Sequence, residues 1–386
     1  MKIMINATMI QSEGGVALLR ALIDTVVDSE ETSGGEETVC LYLNPALVKR
    51  LDPGSPVRIV PFRPASGWAR FWWEQITLPN ILKKEKYDRL ISVGNTGPLF
   101  PGCPQTLYVQ QSIPFSSYQP PDHRLSWQRF RLIYGFLMAL AQLGSDRIVV
   151  PTRWLVSPMR KWVLGLIPET RYVVSLPGPP DVCPEGELCE KETALLSQLS
   201  QWHAQGVALL FYPAYLAPYK HLPYLFESMA MLRQRFDGSF RLILTFDEQS
   251  PEYFPCRAAV FEAYRRAGLS ENEVLFCGGL SRTAVNRIYG LSRLLVFPSQ
   301  VETLGLPLME SMSCSLPIVA CETPFAREIC ADSALYAPSD QPSVFADQIA
   351  GLLKDPARCE AFAKQAENIA SKWSWADHAR AVLGPL

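Results

Sequence analysis

The sequence predicts an α/β protein of two domains, each built on a largely parallel sheet. Three observations carry this. Short apolar runs alternate with longer segments of helical period along the chain, the rhythm of parallel βα units. The 386 residues, 48% of them hydrophobic, exceed what one ordinary core needs. A crowd of Pro177, Gly178, Pro179, Pro180, Pro184 and Gly186 interrupts the alternation once, near the middle.

The elements follow in order. Residues 2–10 read as a strand, Gly14-Gly15 as a loop and 16–29 as a helix, a βα unit with glycines at its turn. Strands are expected at 39–43, 57–62, 90–93, 106–109, 147–150 and 172–175, with helices at 76–84, 129–143 and 154–164. Residues 177–187 read as a loop between domains, and 188–201 has helical character. The second domain opens near Val207 with ALLFYP as its first strand. Strands at 241–245, 274–277, 294–297 and 318–320 then alternate with helices at 224–236, 258–267, 283–289 and 308–312. Late helices cover 345–353 and 356–370. No internal repeat or low-complexity tail is present.

Bulk properties exclude several classes. Lys plus Arg total 36 against 38 Asp plus Glu, a formal charge of -2, which argues against nucleic acid as a partner. The ten cysteines include no CxxC pair and there are four histidines, so no metal site is expected. Buried thiols in a reducing, cytoplasmic compartment fit this usage. The apolar start MKIMINATMI is short and lacks a cleavage pattern, so it reads as a strand rather than a leader. No run reaches the ~18 apolar residues of a membrane span.

The chemistry concentrates in LVFPSQVETLGLPLMESMSCSLP, residues 295–317. It reads as a buried strand, a glycine-bearing loop and a short helix, with Glu302 in the loop and Glu310 in the helix. Gly305 relaxes the backbone before the helix, and Pro307 sits where a first-turn proline costs no hydrogen bond. Backbone amides of Thr303, Leu304, Gly305 and Leu306 are placed to face an anion. Glu302 can accept a sugar hydroxyl and Glu310 the two hydroxyls of a ribose. A helix-capping Glu beside a solvated one has the same spacing.

This pattern resembles the E-x7-E signature of retaining nucleotide-sugar glycosyltransferases of the group 1 type. These have the GT-B fold: two Rossmann-like domains with parallel sheets facing across a cleft. The resemblance covers nearly the whole chain. Gly14, Gly15 and Val16 match the family's GGV, which meets the donor diphosphate. The resemblance implies that Glu302 contacts the transferred sugar and Glu310 the ribose. Pro324, Arg327, Glu328 and Tyr336 match its Pro-x-x-Arg-Glu and Ala-Leu-Tyr segment, and Gly279 in VLFCGGLS its loop near the nucleobase. KWSWADHA resembles the final helix, which packs back on the N-terminal domain. The implied divisions are 1–180, an acceptor domain; 181–204, a loop and helix; 205–365, the nucleotide-sugar domain; and 366–386, the returning helix.

Lys220, just before a helix in YPAYLAPYKHLPYLF, matches the family's phosphate lysine. The arginine expected five or six residues earlier is replaced by Tyr215 and Ala214, with Arg153 and Arg282 as candidate substitutes. Where many members carry a histidine near the sugar, this chain reads VQQSIPFS. Gln110 and Gln111 can hydrogen-bond hydroxyls but cannot act as bases. Gln111 is expected to line the sugar site, with a turn-stabilising role as the rival. Trp73, Glu74, Gln75, Leu78 and Pro79 match a W-E-Q-x-x-L-P that favours packing for Trp73. Trp68 and Trp72 remain candidates for an acceptor or membrane surface. Arg124, Arg129 and Arg131 near Trp127 read as a solvated helix face or as a contact for lipid headgroups.

The implied activity is transfer of a sugar, with retention, from a nucleotide-diphosphate donor to a hydroxyl acceptor, without a cofactor. UDP- or GDP-sugars are the expected donors. A surface polysaccharide or lipid-linked glycan is the expected acceptor, with peripheral contact at the inner face of a membrane as a possible accompaniment. Lys220, Glu302 and Gln111 are the expected catalytic residues. The alternative is a non-catalytic sugar-nucleotide-binding or scaffold protein of the same fold, for which the missing arginine, the Gln-Gln pair and Ser315 at a common glycine position speak.

Overall fold

The computed structural model describes residues 2–10, 13–30, 39–51, 57–120, 124–178, 186–252 and 254–384. The chain forms two compact units. One comprises Met1–Ser117, Arg124–Gly178 and Trp373–Leu386; the other comprises Tyr118–His123 and Pro179–Lys372.

The first unit holds seven strands: β1 (Ile3–Ala7), β2 (Val39–Leu43), β3 (Val57–Pro61), β4 (Arg89–Ser92), β5 (Gln105–Tyr108), β6 (Arg147–Val150) and β7 (Tyr172–Val174). Their order is β3-β2-β1-β4-β5-β6-β7, and all pairings are parallel. The second unit holds β8 (Ala208–Tyr212), β9 (Phe240–Leu244), β10 (Val274–Phe276), β11 (Leu294–Phe297), β12 (Ile318–Cys321) and β13 (Ala334–Ala337). Their order is β10-β9-β8-β11-β12-β13, again all parallel. β1, β8, β11 and β12 are buried at every residue. Helices cover both faces of such sheets, so β8, β11 and β12 read as unbroken apolar runs, and β1 does so apart from Asn6. The strand order reverses between β1 and β4 and between β8 and β11. Loops leaving neighbouring strands diverge there and open a crevice at the carboxyl ends.

Three local readings differ from the sequence expectation. Gly14 and Gly15 do not form a loop: the helix already begins at Glu13 and runs to Glu30. Both glycines stand in its first turn, where backbone N–H groups have no carbonyl one turn back to bond. The helix expected over 76–84 begins at Gly67, capped by Ser66, whose Oγ accepts from Ala69 N at 3.1 Å. It continues through a π-helical turn, Trp73–Thr77, to Lys84. Pro79 lies two residues beyond that turn. It has no N–H for the carbonyl of Gln75, and a widened register accommodates the defect. The helix expected over 129–143 starts at Arg124. The expected loop 177–187 lies mostly outside the described residues.

The W-E-Q segment is structural. Trp73 packs against Phe62 and Tyr42, ring centroids 4.7 and 5.7 Å away. Glu74 is buried and takes Arg70 Nε at 2.9 Å and Thr96 Oγ1 at 2.7 Å. Gln75 donates to Gly97 O and accepts from Leu99 N, both at 3.0 Å. Together they fix the loop that leaves β4. The last helix, Trp375–Leu383, sinks Ala379, Val382 and Leu383 into the core of the first unit. Its terminal carbonyls accept from Arg89 (Leu383 O, 2.5 Å) and Arg147 (Ala381 O, 2.9 Å), cations where the helix dipole is negative.

Among the described residues no cysteine is disulfide-bonded, no acid, His and Cys cluster suits a metal, and no helix is long and apolar enough to cross a membrane.

Candidate functional site

The crevice at the β8/β11 reversal is built from two loops. The first leaves β8, runs through a tight turn, Pro218–Lys220, and enters the helix Leu222–Arg235. His221 makes the join at φ +55°, a left-handed conformation that costs a residue with a Cβ roughly 1–2 kcal/mol. Its ring stacks on Tyr224 at 4.6 Å. The second loop leaves β11 and turns at Gly305, φ +64°, into the helix Leu306–Ser313 with Pro307 in the first turn. A side chain at position 305 would be strained, so glycine is needed there. The loops are tied together. Gln300 N donates to Tyr219 O at 2.9 Å, Gln300 Nε2 lies 3.1 Å from His221 Nδ1, and the Tyr212 and Ser299 hydroxyls meet at 2.6 Å.

These ties bring together two residues 82 positions apart. Lys220 Nζ lies 2.5 Å from Glu302 Oε1. Lys220 is buried, and the Glu302 side chain is 15% exposed. Burial pulls the ammonium towards neutrality, but the Glu302 carboxylate outweighs it and the lysine is held charged, above its ordinary value. Lys220 Nζ also sits 4.7 Å from the centre of the Tyr215 ring. The position expected to carry a second cation thus presents an aromatic face to the first. Tyr215 and Tyr219 join hydroxyls at 2.7 Å. Burial pushes His221 down to about 4, so it is neutral beside this pair.

Glu310 lies one turn into its helix and is buried. Tyr289 donates to its Oε2 at 2.7 Å, and Arg282 Nη2 lies 2.6 Å from its Oε1, off the line of a hydrogen bond. Arg282 opens the helix Arg282–Leu291, and Tyr289 follows seven residues later on the same face. Burial drives the Tyr289 phenol well up and Glu310 drives it further, so it stays a donor. Arg282, considered as a substitute phosphate clamp, is instead the counter-ion of Glu310. Arg153 pairs with Glu169 within the first unit.

Past β10, Gly278 rather than Gly279 has the left-handed backbone, φ +74°, and a Cβ there would stand 2.7 Å from Asp247 Oδ2. Open space surrounds the corresponding position of Gly279. Lys191 Nζ donates to Cys277 O at 3.0 Å, and Glu192 accepts from Ser281 N at 2.6 Å, fixing this loop.

Thr303, Leu304, Gly305 and Leu306 occupy the turn between Glu302 and Glu310. Gly14, Gly15, Val16 and Gln111 belong to the first unit. Gln111 Oε1 accepts from Ile113 N at 3.1 Å, capping the turn Ile113–Phe115, and Asn95 Oδ1 accepts from Gln110 N. Tyr289, His221 and Gln300 escaped the sequence reading. The seven-residue spacing of Arg282 and Tyr289 was the available signal for one of them.

Residues 202–369 match the family model described as glycosyl transferases group 1. A stretch of 175 residues is 26% identical to the serotype-specific mannosyltransferase WbdA of Escherichia coli, covering 44% of this chain and 20% of that protein. Another, of 109 residues, is 30% identical to the O-antigen chain mannosyltransferase B of Escherichia coli, covering 28% of each. The chain thus spans a fifth to just over a quarter of the length of these relatives. Among solved structures, Anabaena HepE in complex with UDP-glucose superposes with a TM-score of 0.67 at 14% identity, over 99% of this chain and 98% of that one. The shared architecture is the GT-B fold.

Proposed function

We propose that this chain, whose residues 202–369 form a group 1 glycosyl transferase domain, moves a sugar from a nucleotide-diphosphate donor to a hydroxyl acceptor with retention of anomeric configuration. The observation that carries the reading is the buried Lys220–Glu302 pair at the β8/β11 reversal, with Glu310 held one turn into the following helix.

The residues divide the work. Lys220 is the charge that meets the donor diphosphate, helped by backbone amides of Thr303–Leu306 at the start of the next helix. Glu302 shares Lys220 and keeps its second oxygen for a hydroxyl of the transferred sugar. Glu310 takes the ribose. An ionised carboxylate offers about four lone-pair directions. Tyr289 occupies one on Oε2, and Arg282 stands beside Oε1 as a counter-ion, which leaves directions on both oxygens for a vicinal diol. For Gly14, Gly15 and Val16 a contact with the diphosphate, and for Gln111 a contact with the sugar, are what the family resemblance implies. In the reaction the bond from the anomeric carbon to the diphosphate oxygen breaks. The acceptor oxygen bonds to the same face of that carbon, and its proton passes to the departing phosphate oxygen. Lys220 acts on charge that grows on the leaving group, so it lowers the barrier rather than only the ground state.

UDP- and GDP-sugars are the donors to try first; HepE is seen with UDP-glucose, and the relatives named above are mannosyltransferases. The O-antigen chain in the name of one of them supports a glycan or lipid-linked acceptor in polysaccharide synthesis. The test is a thermal-shift panel of UDP, GDP, ADP and TDP with their sugar conjugates, on the wild type and Glu310→Ala. One nucleotide should stabilise the wild type and lose most of that effect in the variant. Equal stabilisation of both removes Glu310 from the ribose. Labelled donor then reports transfer, and the coupling constant of the product's anomeric proton reports configuration; an inverted product overturns retention. Binding with neither transfer nor hydrolysis would favour the non-catalytic alternative.

A further inference from the structure

The helix Arg124–Leu143 of the first unit turns apolar side chains outward. Its core face carries Trp127, Gly135, Met138, Ala139 and Gln142. On the opposite side, Leu125 is 73% exposed, and Leu132, Ile133 and Phe136 are exposed by 62, 64 and 58%. At ~100° per residue these four, with exposed Arg129, fall within one arc about 100° wide running the length of the helix. A soluble surface helix keeps its outward arc polar, with apolar residues on the inner side alone.

A second outward stripe lies nearby. Trp68, Trp72 and Ile76 are exposed by 75, 56 and 50% at four-residue spacing on the helical run that begins at Gly67. The two helices are joined in the fold: Tyr134 contacts Arg70, and the 97–99 loop touches both Gln75 and Gly144 at the end of the other helix. Phe100, 80% exposed, follows that loop.

Charge decides what covers this surface. The helix Arg124–Leu143 contains no acidic residue, and Arg124 and Arg129 are exposed on it. In the other run the single acid, Glu74, is buried, while Lys83 and Lys84 are exposed. The chain as a whole carries -2, so an exposed surface of these helices with cations and no anions is a local segregation. Exposed tryptophans and aliphatics flanked by basic residues suit the interface of an anionic bilayer, where rings and chains enter the headgroup layer and cations meet lipid phosphates.

We propose that the outward faces of Arg124–Leu143 and of the Trp68–Ile76 stripe dock the first unit on a membrane surface bearing anionic lipid. This is independent of the nucleotide-site reading, which rests on the second unit. Flotation of the purified chain with phosphatidylcholine vesicles, with and without phosphatidylglycerol, tests it. Wild type should float with the anionic vesicles, less so with neutral ones, and less as salt rises. The double variant Ile133→Glu/Phe136→Glu, both positions exposed, should float at least about tenfold less. Its melting temperature and far-UV circular dichroism should match the wild type. Trp68→Ser/Trp72→Ser tests the second stripe, and emission from the wild-type tryptophans should shift to the blue on vesicle addition. Failure of the wild type to bind anionic vesicles, or undiminished binding by a folded Ile133→Glu/Phe136→Glu variant, overturns the proposal. A dimer in light scattering that this variant dissociates assigns the face to a second copy and overturns it equally.

Discussion

Glu302→Gln is the sharpest test of the site, because it removes a charge while keeping shape. At 2.5 Å the two charges attract by about 7 kcal/mol at an effective dielectric of ~20, most of which offsets the cost of burying them. Removing one partner of such a pair leaves the other uncompensated, a loss of ~3–5 kcal/mol. The partial exposure of Glu302 puts the expected loss near the lower end, about 3 kcal/mol, read by urea denaturation of the full chain. The double variant Lys220→Met/Glu302→Gln should recover much of it, since no charge is left stranded.

The pH dependence changes sign, which separates this mechanism from simple loss of packing. In the wild type, Lys220 is held above its ordinary 10.5. Its contribution is therefore full below about pH 10 and fades only as pH rises through the folded value. In Glu302→Gln only burial remains to act strongly, and burial lowers a lysine. The unfolded chain then binds the extra proton, so stability of the variant should climb from pH 7 towards 10 while the wild type stays level there. Nucleoside diphosphate should also stabilise this variant more than it stabilises the wild type, because the phosphates replace the missing anion, while sugar transfer falls. A loss below ~1 kcal/mol with a flat pH profile would refute the buried-pair reasoning.

Tyr289→Phe removes the donor to Glu310 and should cost ~1.5–3 kcal/mol, with weaker nucleotide binding seen in the thermal-shift panel. Ser315→Gly relieves a left-handed backbone, φ +52°, and should raise stability by about 0.5–1 kcal/mol in denaturant melts. His378 is buried in the first unit and pushed down to about 4. Its stabilising effect is present above 6.5 and should fade as pH falls towards 4, by on the order of 3 kcal/mol. His378→Phe should remove that share of acid destabilisation, leaving a smaller slope to which His221, also near 4, and the lowered carboxylates Glu192 and Asp247 contribute.

Much of this was legible because burial imposes pattern. β8 and β11 are apolar at every position since both faces are covered, and short apolar runs bounded by turn residues mark them. Lys220, Glu302 and Glu310 follow such runs by eight, five and thirteen residues, and it was their match to a family motif that singled them out. Their partners were not found. Lys220 and Glu302 are joined across 82 residues by sheet order, and nothing local to either encodes that β8 and β11 are neighbours. Arg282 illustrates the same limit. As a cation near the site it suited a diphosphate, but only the packing of its helix shows that it faces Glu310.

Glycine misled in the opposite direction. A Gly-Gly pair usually marks a turn because glycine weakens a helix by ~1 kcal/mol relative to alanine. In the first turn of Glu13–Glu30 fewer intrahelical hydrogen bonds depend on those positions, and a chain that must approach a ligand closely can place its glycines there. The outward face of Arg124–Leu143 shows a deeper ambiguity. Leu125, Leu132, Ile133 and Phe136 recur at the spacing of a core-facing stripe, and from periodicity alone they are the side to bury. The fold buries the other side, through Trp127, Gly135 and Met138, because small residues there allow close approach: a Cβ on Gly135 would stand 2.5 Å from the Trp162 ring. A helix apolar on both sides needs two apolar environments, and the fold supplies only the inner one.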